Sequence, residues 1–421
     1  MIPVESTPSP VIASPRGQLS AARIAAPRPP SHRSLIDVVV AGYLGVDLTP
    51  GFHAAPSPVR ASDLFRPGTL IETKGLTVSL GGAVANTGLA LKKFGRRVEL
   101  MACISDDALG RTVTELLRAQ GVRRGIRRIA GGTAYGIVIA PPHLNRIFFE
   151  DCGCNAHFTA DHIDYDLVRR SRLFHFGYPP LMPRLWADGG AELHRMFARA
   201  QRLGVITSLD LALPDPLRPA GRADWRAILA RVLPCVDIFV PSVEELLFML
   251  EPETFARLQR RAGSDDMLDA IPEEAFARLA DAAMAAGVKI LMLKAGGRGA
   301  FIRTSDVAAL QPVLGPSFPA AAWSQRSLWV RPFAVDRRRV HNASGAGDCA
   351  IAGFLSALLD GATLERAADY AMLAGRDNLY GNDARSGLRD WSTMTRIVKR
   401  TSAPVNGATA PRVSLNGHGK S

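Results

Sequence analysis

Short apolar runs alternate with helical patterns through the middle of the chain. Leu35–Ala41, Val98–Cys103, Leu173–Phe176, Val205–Leu209, Val236–Val240, Ile290–Leu293 and Ala300–Ile302 read as strands. Val38-Val39-Val40 and Ile290-Leu291-Met292-Leu293 show no polar alternation, the pattern of strands covered on both faces of a parallel sheet. Val84, Gly88 and Leu91 recur at helical spacing, with Gly95 placed to end that helix. Leu109, Val113, Leu116 and Leu117 form a second stripe that stops near Gly121, and Ala350–Leu359 a third helix of small and branched residues. Strand-then-helix order predicts an α/β fold, a doubly wound, mostly parallel sheet flanked by helices. Residues 48–80 and 124–157 break this rhythm with the β-prone pieces Leu76-Thr77-Val78, Tyr135–Ile139 and Ile147-Phe148-Phe149. They predict a small sheet standing off the main one, either a lid over a cleft or surface hairpins. The charged segment Glu251–Glu274 reads as a helical surface insertion.

The chain has 421 residues, 47% hydrophobic and 21% charged, a globular balance that excludes a wholly disordered, collagenous or coiled-coil protein. Its net charge of +12 suggests nucleic acid until the charges are located. Arg16, Arg23, Arg28 and Arg33 face only Glu5 in the first 34 residues, and Lys399, Arg400, Arg412 and Lys420 face no acid at the other end. The ends supply most of the excess, so solvated basic tails fit better than a nucleic-acid face. Residues 1–34 hold seven prolines and no continuous apolar stretch, which argues against a secretory signal or an amphipathic transit helix. They are expected to be a disordered leader, 401–421 a disordered tail, and 35–400 the folded domain. No apolar run approaches the ~20 residues of a membrane span. Five irregularly spaced cysteines suit a reducing, cytoplasmic setting rather than a disulfide framework.

The sharpest chemical feature is Ser344-Gly345-Ala346-Gly347-Asp348, running directly into a helix. Small residues allow close backbone approach, and the first N–H groups of a helix have no intrahelical partner, so Gly345, Ala346 and Gly347 frame an anion site. A carboxylate there repels phosphate, but makes sense if Asp348 takes a proton from a hydroxyl attacking a phosphoryl group. The alternative is that Asp348 merely caps the helix. A second glycine turn, Gly81-Gly82-Ala83-Val84-Ala85-Asn86, could offer N–H groups and the Asn86 amide to a polyol, or be an ordinary turn before a helix. Asp47 follows the first strand, where ligands of parallel sheets gather, and could accept hydrogen bonds from sugar hydroxyls.

Taken together, Asp37–Asp47, Gly81–Gly95, Ser105–Val122, Lys294–Gly299 and Ser344–Gly353 resemble the ribokinase/PfkB family of carbohydrate kinases, from about Leu35 to Trp391. The resemblance implies ATP- and Mg²⁺-dependent phosphorylation of a hydroxyl, usually a primary alcohol, of a sugar, related polyol or nucleoside. It also implies a β-lid closing on the substrate; the apolar edge residues Ile147, Phe148 and Phe149 of that lid need covering, and a homodimer is one way to cover them. In the family's pattern Asp348 matches the catalytic base and Gly345, Ala346 and Gly347 the anion hole. Asp47, Gly81, Gly82 and Asn86 match sugar-contacting positions. Lys294, Gly296 and Gly299 match the strand and turn beside the nucleotide, and Glu245 the acid near Mg²⁺ and phosphate.

The chain departs from that pattern in places. Ser242 stands where the motif containing Glu245 has Asn, and Gly45 where the sugar site often has Asn. Lys294 replaces a frequent Thr. Asn342 replaces an Asp in a segment that helps hold a monovalent cation in some relatives, which leaves potassium activation open. The rival from another class is a catalytically silent sensor that binds sugar or nucleotide on the same fold. Cys152-Gly-Cys154 with His157 falls short of a closed metal set, and His175, Asp210 and Asp215 carry no assigned role.

Overall fold

The computed structural model describes residues 36–53, 66–141, 147–263, 267–341 and 343–400. The leader, the tail, parts of both lid segments and Asn342 lie outside the described residues. In chain order the strands are β1 (Ile36–Gly42), β2 (Gly45–Pro50), β3 (Leu76–Gly81), β4 (Val98–Ile104), β5 (Ile126–Arg128), β6 (Tyr135–Ile139) and β7 (Ile147–Asp151). They continue with β8 (Ser171–Gly177), β9 (Ile206–Leu209), β10 (Ile238–Phe239), β11 (Ile290–Lys294), β12 (Ala300–Thr304) and β13 (Ser327–Val330). Nine of them form one sheet in the order β13-β12-β11-β10-β9-β8-β1-β4-β5, parallel from β11 to β5 with an antiparallel edge at β12 and β13.

The absence of polar alternation in the strands has a direct structural counterpart. Val39 and Ala41 of β1, Phe174 and Phe176 of β8 and Leu291 and Leu293 of β11 enter the core on one face of the sheet. Val38, Val40, Leu173, Ile290 and Met292 enter the core on the other. Helices α1 (Ala83–Lys93), α2 (Ala108–Ala119), α3 (Val243–Leu250), α4 (Ala346–Leu359) and α5 (Leu364–Asn378) belong to the covering layers. None of the helices among the described residues is long and apolar enough to cross a membrane.

The chain leaves β1 toward β4 on one side and returns to β8 on the other, a topological switch that opens a crevice at the carboxyl ends of the strands. Over this crevice stands a second sheet, in the order β3-β2-β6-β7. Its register aligns Ser79, Asp47, Gly136 and Glu150 in one row. The pleat turns Leu48, Val78, Ile137 and Phe149 to the opposite face. The small sheet differs from the expected segments in two ways. It starts earlier, at Gly45, and Ile126–Arg128 pairs instead with β4 at the edge of the main sheet. The segment after Glu251 is also more than a surface insertion, since its helix Pro252–Ala262 buries Phe255 and Leu258.

Candidate active site

Gly345 is the N-cap of α4, in the left-handed region at φ 76°, and the cap makes no side-chain hydrogen bond. A side chain there would press on Ala384 Cβ at 2.7 Å and Asn86 Nδ2 at 3.4 Å, so both the backbone turn and the crowding call for glycine. Ala346, Gly347 and Asp348 are the first three helical residues. Asp348 is therefore not the cap. It is 2% exposed, and three donors from two other elements hold its carboxylate. Thr87 Oγ1 donates to Oδ1 at 3.0 Å, while Asn86 Nδ2 at 3.2 Å and Tyr178 OH at 2.6 Å donate to Oδ2. Burial and the neighbouring Asp348 raise the Tyr178 phenol well above its ordinary value, so it stays a donor.

The other side chains converge because each follows the carboxyl end of a strand. Tyr178 comes one residue after β8, at a left-handed φ of 68°. Asp210 follows β9, and Lys294 ends β11. Lys294 Nζ donates to Asp210 Oδ1 at 2.6 Å, and its stem lies 3.5–3.6 Å from where a Cβ on Gly347 would stand. Burial opposes the lysine charge, but Asp210, Glu245 and Asp348 outweigh it and hold Lys294 above the usual lysine range. On the lid side, a Cβ at Gly81 would collide with the Asp47 carboxylate, so glycine at this close approach makes the space for it. Burial, then the charge of Glu150, pushes Asp47 up to about 6 against the pull of Arg385.

The arrangement is a buried carboxylate one turn into a glycine-capped helix, a lysine beside the cap, and a second acid under the lid. Comparison with known proteins agrees with that chemistry. The pfkB family carbohydrate kinase model matches residues 57–376. The chain belongs to the pfkB family of carbohydrate kinases. It is 25% identical to the 2-dehydro-3-deoxygluconokinase of Thermoproteus tenax over 328 residues, 76% of this chain and 86% of that one. It is 26% identical to a probable fructokinase-3 of Arabidopsis thaliana over 190 residues, 44% of this chain and about half (54%) of the relative. The fold is that of the Arabidopsis thaliana ribokinase solved with ribose and ATP, at a TM-score of 0.62 and 18% identity, with 86% of this chain and 99% of that one covered.

As a pfkB kinase the chain carries its departures with structural consequences. Ser242 caps α3, its Oγ accepting from Glu245 N at 3.2 Å while Glu245 Oε2 accepts from Ser242 N at 2.7 Å. The capping box thus engages one Glu245 oxygen with the Ser242 backbone N–H. Gly45 pairs with Gly81, and a Cβ there would meet Ala134 O at 2.9 Å, so this position has no room for a side chain. Gly82 is the N-cap of α1, the helix that carries Asn86 and Thr87. Gly296 and Gly299 form the turn from β11 into β12, closed by Ala295 N donating to Gly299 O at 2.8 Å and Gly299 N to Gly296 O at 3.1 Å. Among the described residues no group of three or more His, Cys, Asp or Glu could hold a metal ion; Cys152 and Cys154 are free thiols.

Three functional side chains escaped sequence reasoning. Thr87 adjoins Asn86 and was legible as part of the same turn of helix. Tyr178 could have been found from its place after β8. Arg385 had no such signal, because it sits in the irregular segment after α5 and reaches the site only through the fold. Its Nη1 donates to Asn86 Oδ1 at 3.4 Å.

Proposed function

We propose that the chain transfers the terminal phosphoryl group of ATP to a hydroxyl, a primary alcohol, of a small sugar, polyol or nucleoside. The observation that carries this reading is the buried Asp348 held by Asn86, Thr87 and Tyr178 at the glycine-capped start of α4. Both carboxylate oxygens are aligned by donors, so the group is oriented before a substrate arrives. The acceptor hydroxyl gives its proton to Asp348 as its oxygen bonds to phosphorus, and the bond from phosphorus to the ADP oxygen breaks. The N–H groups of Gly345 and Gly347 and the Lys294 cation face the charge carried by the phosphoryl oxygens, while Ala346 N donates to Ala343 O at 3.3 Å and would have to exchange that partner to join them. Asp47 accepts from acceptor hydroxyls below the lid. Bound Mg²⁺ would supply neutralisation of the phosphate charge, and Glu245 is the residue that would hold it, indirectly through water or phosphate.

The exposed Leu76 (57%) and Val78 (39%) on the outer end of the lid suit burial against a second copy of the chain, which sedimentation of the purified protein tests. The kinase reading is tested by acceptor-dependent ADP release over a panel of sugars and nucleosides with ATP and Mg²⁺. Turnover on at least one acceptor is expected. Ligand binding without turnover would instead support a silent sensor, and a folded protein that neither binds ATP nor releases ADP would sink the proposal.

A further inference from the structure

The loop after α5 places beside Asn86 a cation that makes no close ion pair among the described residues. Its root is rigid. Ala384 O accepts from Asn378 Nδ2 at 2.6 Å and from Cys349 Sγ at 3.1 Å, and Ala384 Cβ packs on the Gly345 cap. Arg385 follows directly and reaches Asn86 Oδ1, while the other end of the same amide donates to Asp348. The guanidinium is therefore one amide away from the carboxylate proposed as the base.

Three observations set this arginine apart from the other cation of the site. Lys294 has Asp210 at 2.6 Å, whereas Arg385 makes no ion pair within 4 Å among the described residues, and its guanidinium makes one long hydrogen bond. The nearest acid in sequence, Asp383, is already engaged, its Oδ1 accepting from Arg385 N and Ser386 N at 2.7 Å each. Burial pulls the guanidinium below the usual arginine range against the charges of Asp383 first, then Cys349, Asp47 and Asp348. Arg385 lies against Asn86, whereas the other cation, Lys294, lies against Gly347 of the anion turn. A partly desolvated guanidinium with most of its five N–H donors unused is poorly stabilised on its own. It is well matched to a planar or tetrahedral oxyanion that accepts two parallel hydrogen bonds. A neutral sugar offers only isolated hydroxyls.

We infer that Arg385 is a specificity residue for an acidic acceptor, a sugar derivative bearing a carboxylate or phosphate in addition to the hydroxyl that is phosphorylated. This rests on the kinase reading above. The acceptor anion docks on Arg385, its hydroxyls meet Asp47, and the reacting hydroxyl meets Asp348.

The test measures kcat/KM for ADP release by the full chain on D-gluconate, 2-dehydro-3-deoxy-D-gluconate, fructose 1-phosphate and D-fructose. At least one acidic acceptor is expected to exceed fructose tenfold or more, and which one distinguishes carboxylate from phosphate. Arg385→Gln is expected to lower the acidic-to-neutral ratio about 10- to 100-fold, chiefly through KM, since a charged hydrogen-bonded partner is lost. Arg385→Lys, which keeps the charge but not the fork, falls between. A wild type that prefers fructose overturns the inference while the kinase reading stands. So does an Arg385→Gln variant that loses kcat equally on all acceptors, because the guanidinium would then act on the transferred phosphoryl group. If Arg385→Gln fails to fold, judged by its melting curve and ATP binding, the wild-type ratio alone decides. No ADP release from any acceptor overturns the kinase reading, and this one with it.

Discussion

Asp348→Asn separates chemistry from structure at one atom. The carboxylate accepts three hydrogen bonds, one on Oδ1 from Thr87 and two on Oδ2 from Asn86 and Tyr178. An asparagine can keep its carbonyl toward Asn86 and Tyr178 and turn its NH₂ to Thr87, whose hydroxyl can rotate to accept. What folding loses is the charge at the helix N-terminus, about 0.3–1 kcal/mol, with part of the charge-assisted hydrogen bonding. Stability should therefore change by about 1 kcal/mol, a small shift in a urea midpoint. Catalysis loses its proton acceptor, which is typically worth ~10²–10⁴-fold in kcat. ATP affinity should hold or tighten slightly, because a negative charge near its phosphates disappears. Steady-state ADP release, calorimetric ATP binding and a urea melt on one preparation give all three numbers. A variant with near-normal kcat would show that the base lies elsewhere, and the mechanism would fall even if the family assignment stood.

Other perturbations follow from the same geometry. Tyr178→Phe removes the 2.6 Å donor that orients the Asp348 carboxylate, so kcat should fall about tenfold with ATP affinity unchanged; an unchanged kcat would separate Tyr178 from the base. Asp47 binds hydroxyls best when ionised, and with its pKa near 6 the acceptor KM should rise roughly tenfold from pH 7 to pH 5. Asp47→Asn should flatten that dependence, and a steep profile in the variant would assign the titration to another group. Its raised pKa also means that the folded state holds this proton more tightly, so the contribution of Asp47 to stability declines as pH rises from about 4 to 6. Lys294→Met leaves Asp210 buried without its partner and should cost about 3 kcal/mol in a urea melt at pH 8, with Asp210→Asn in the same chain recovering most of it.

The sequence by itself determined the architecture and the two ends of the site. Unbroken apolar runs such as Val38-Val39-Val40 have one stable solution, a strand covered on both faces, and repeated strand-then-helix order makes that sheet doubly wound. The glycine turns before α1 and α4 were legible because small residues beside a helix start are local features, read without knowing what packs on them. Whether Asp348 capped its helix or faced a cleft was not local. Both readings share the same five residues, and only the approach of Asn86 and Thr87, more than 260 positions away in sequence, and of Tyr178 decides between them. The same holds for Lys294, whose charge is set by Asp210 at the end of another strand. Arg385 was invisible for the same reason. Its segment has no period, and its contact with Asn86 exists only once the loop is folded onto the Gly345 cap. Backbone pattern is written in neighbouring residues, but the charge balance of a cleft is a sum over residues that only the tertiary fold brings within Coulombic range.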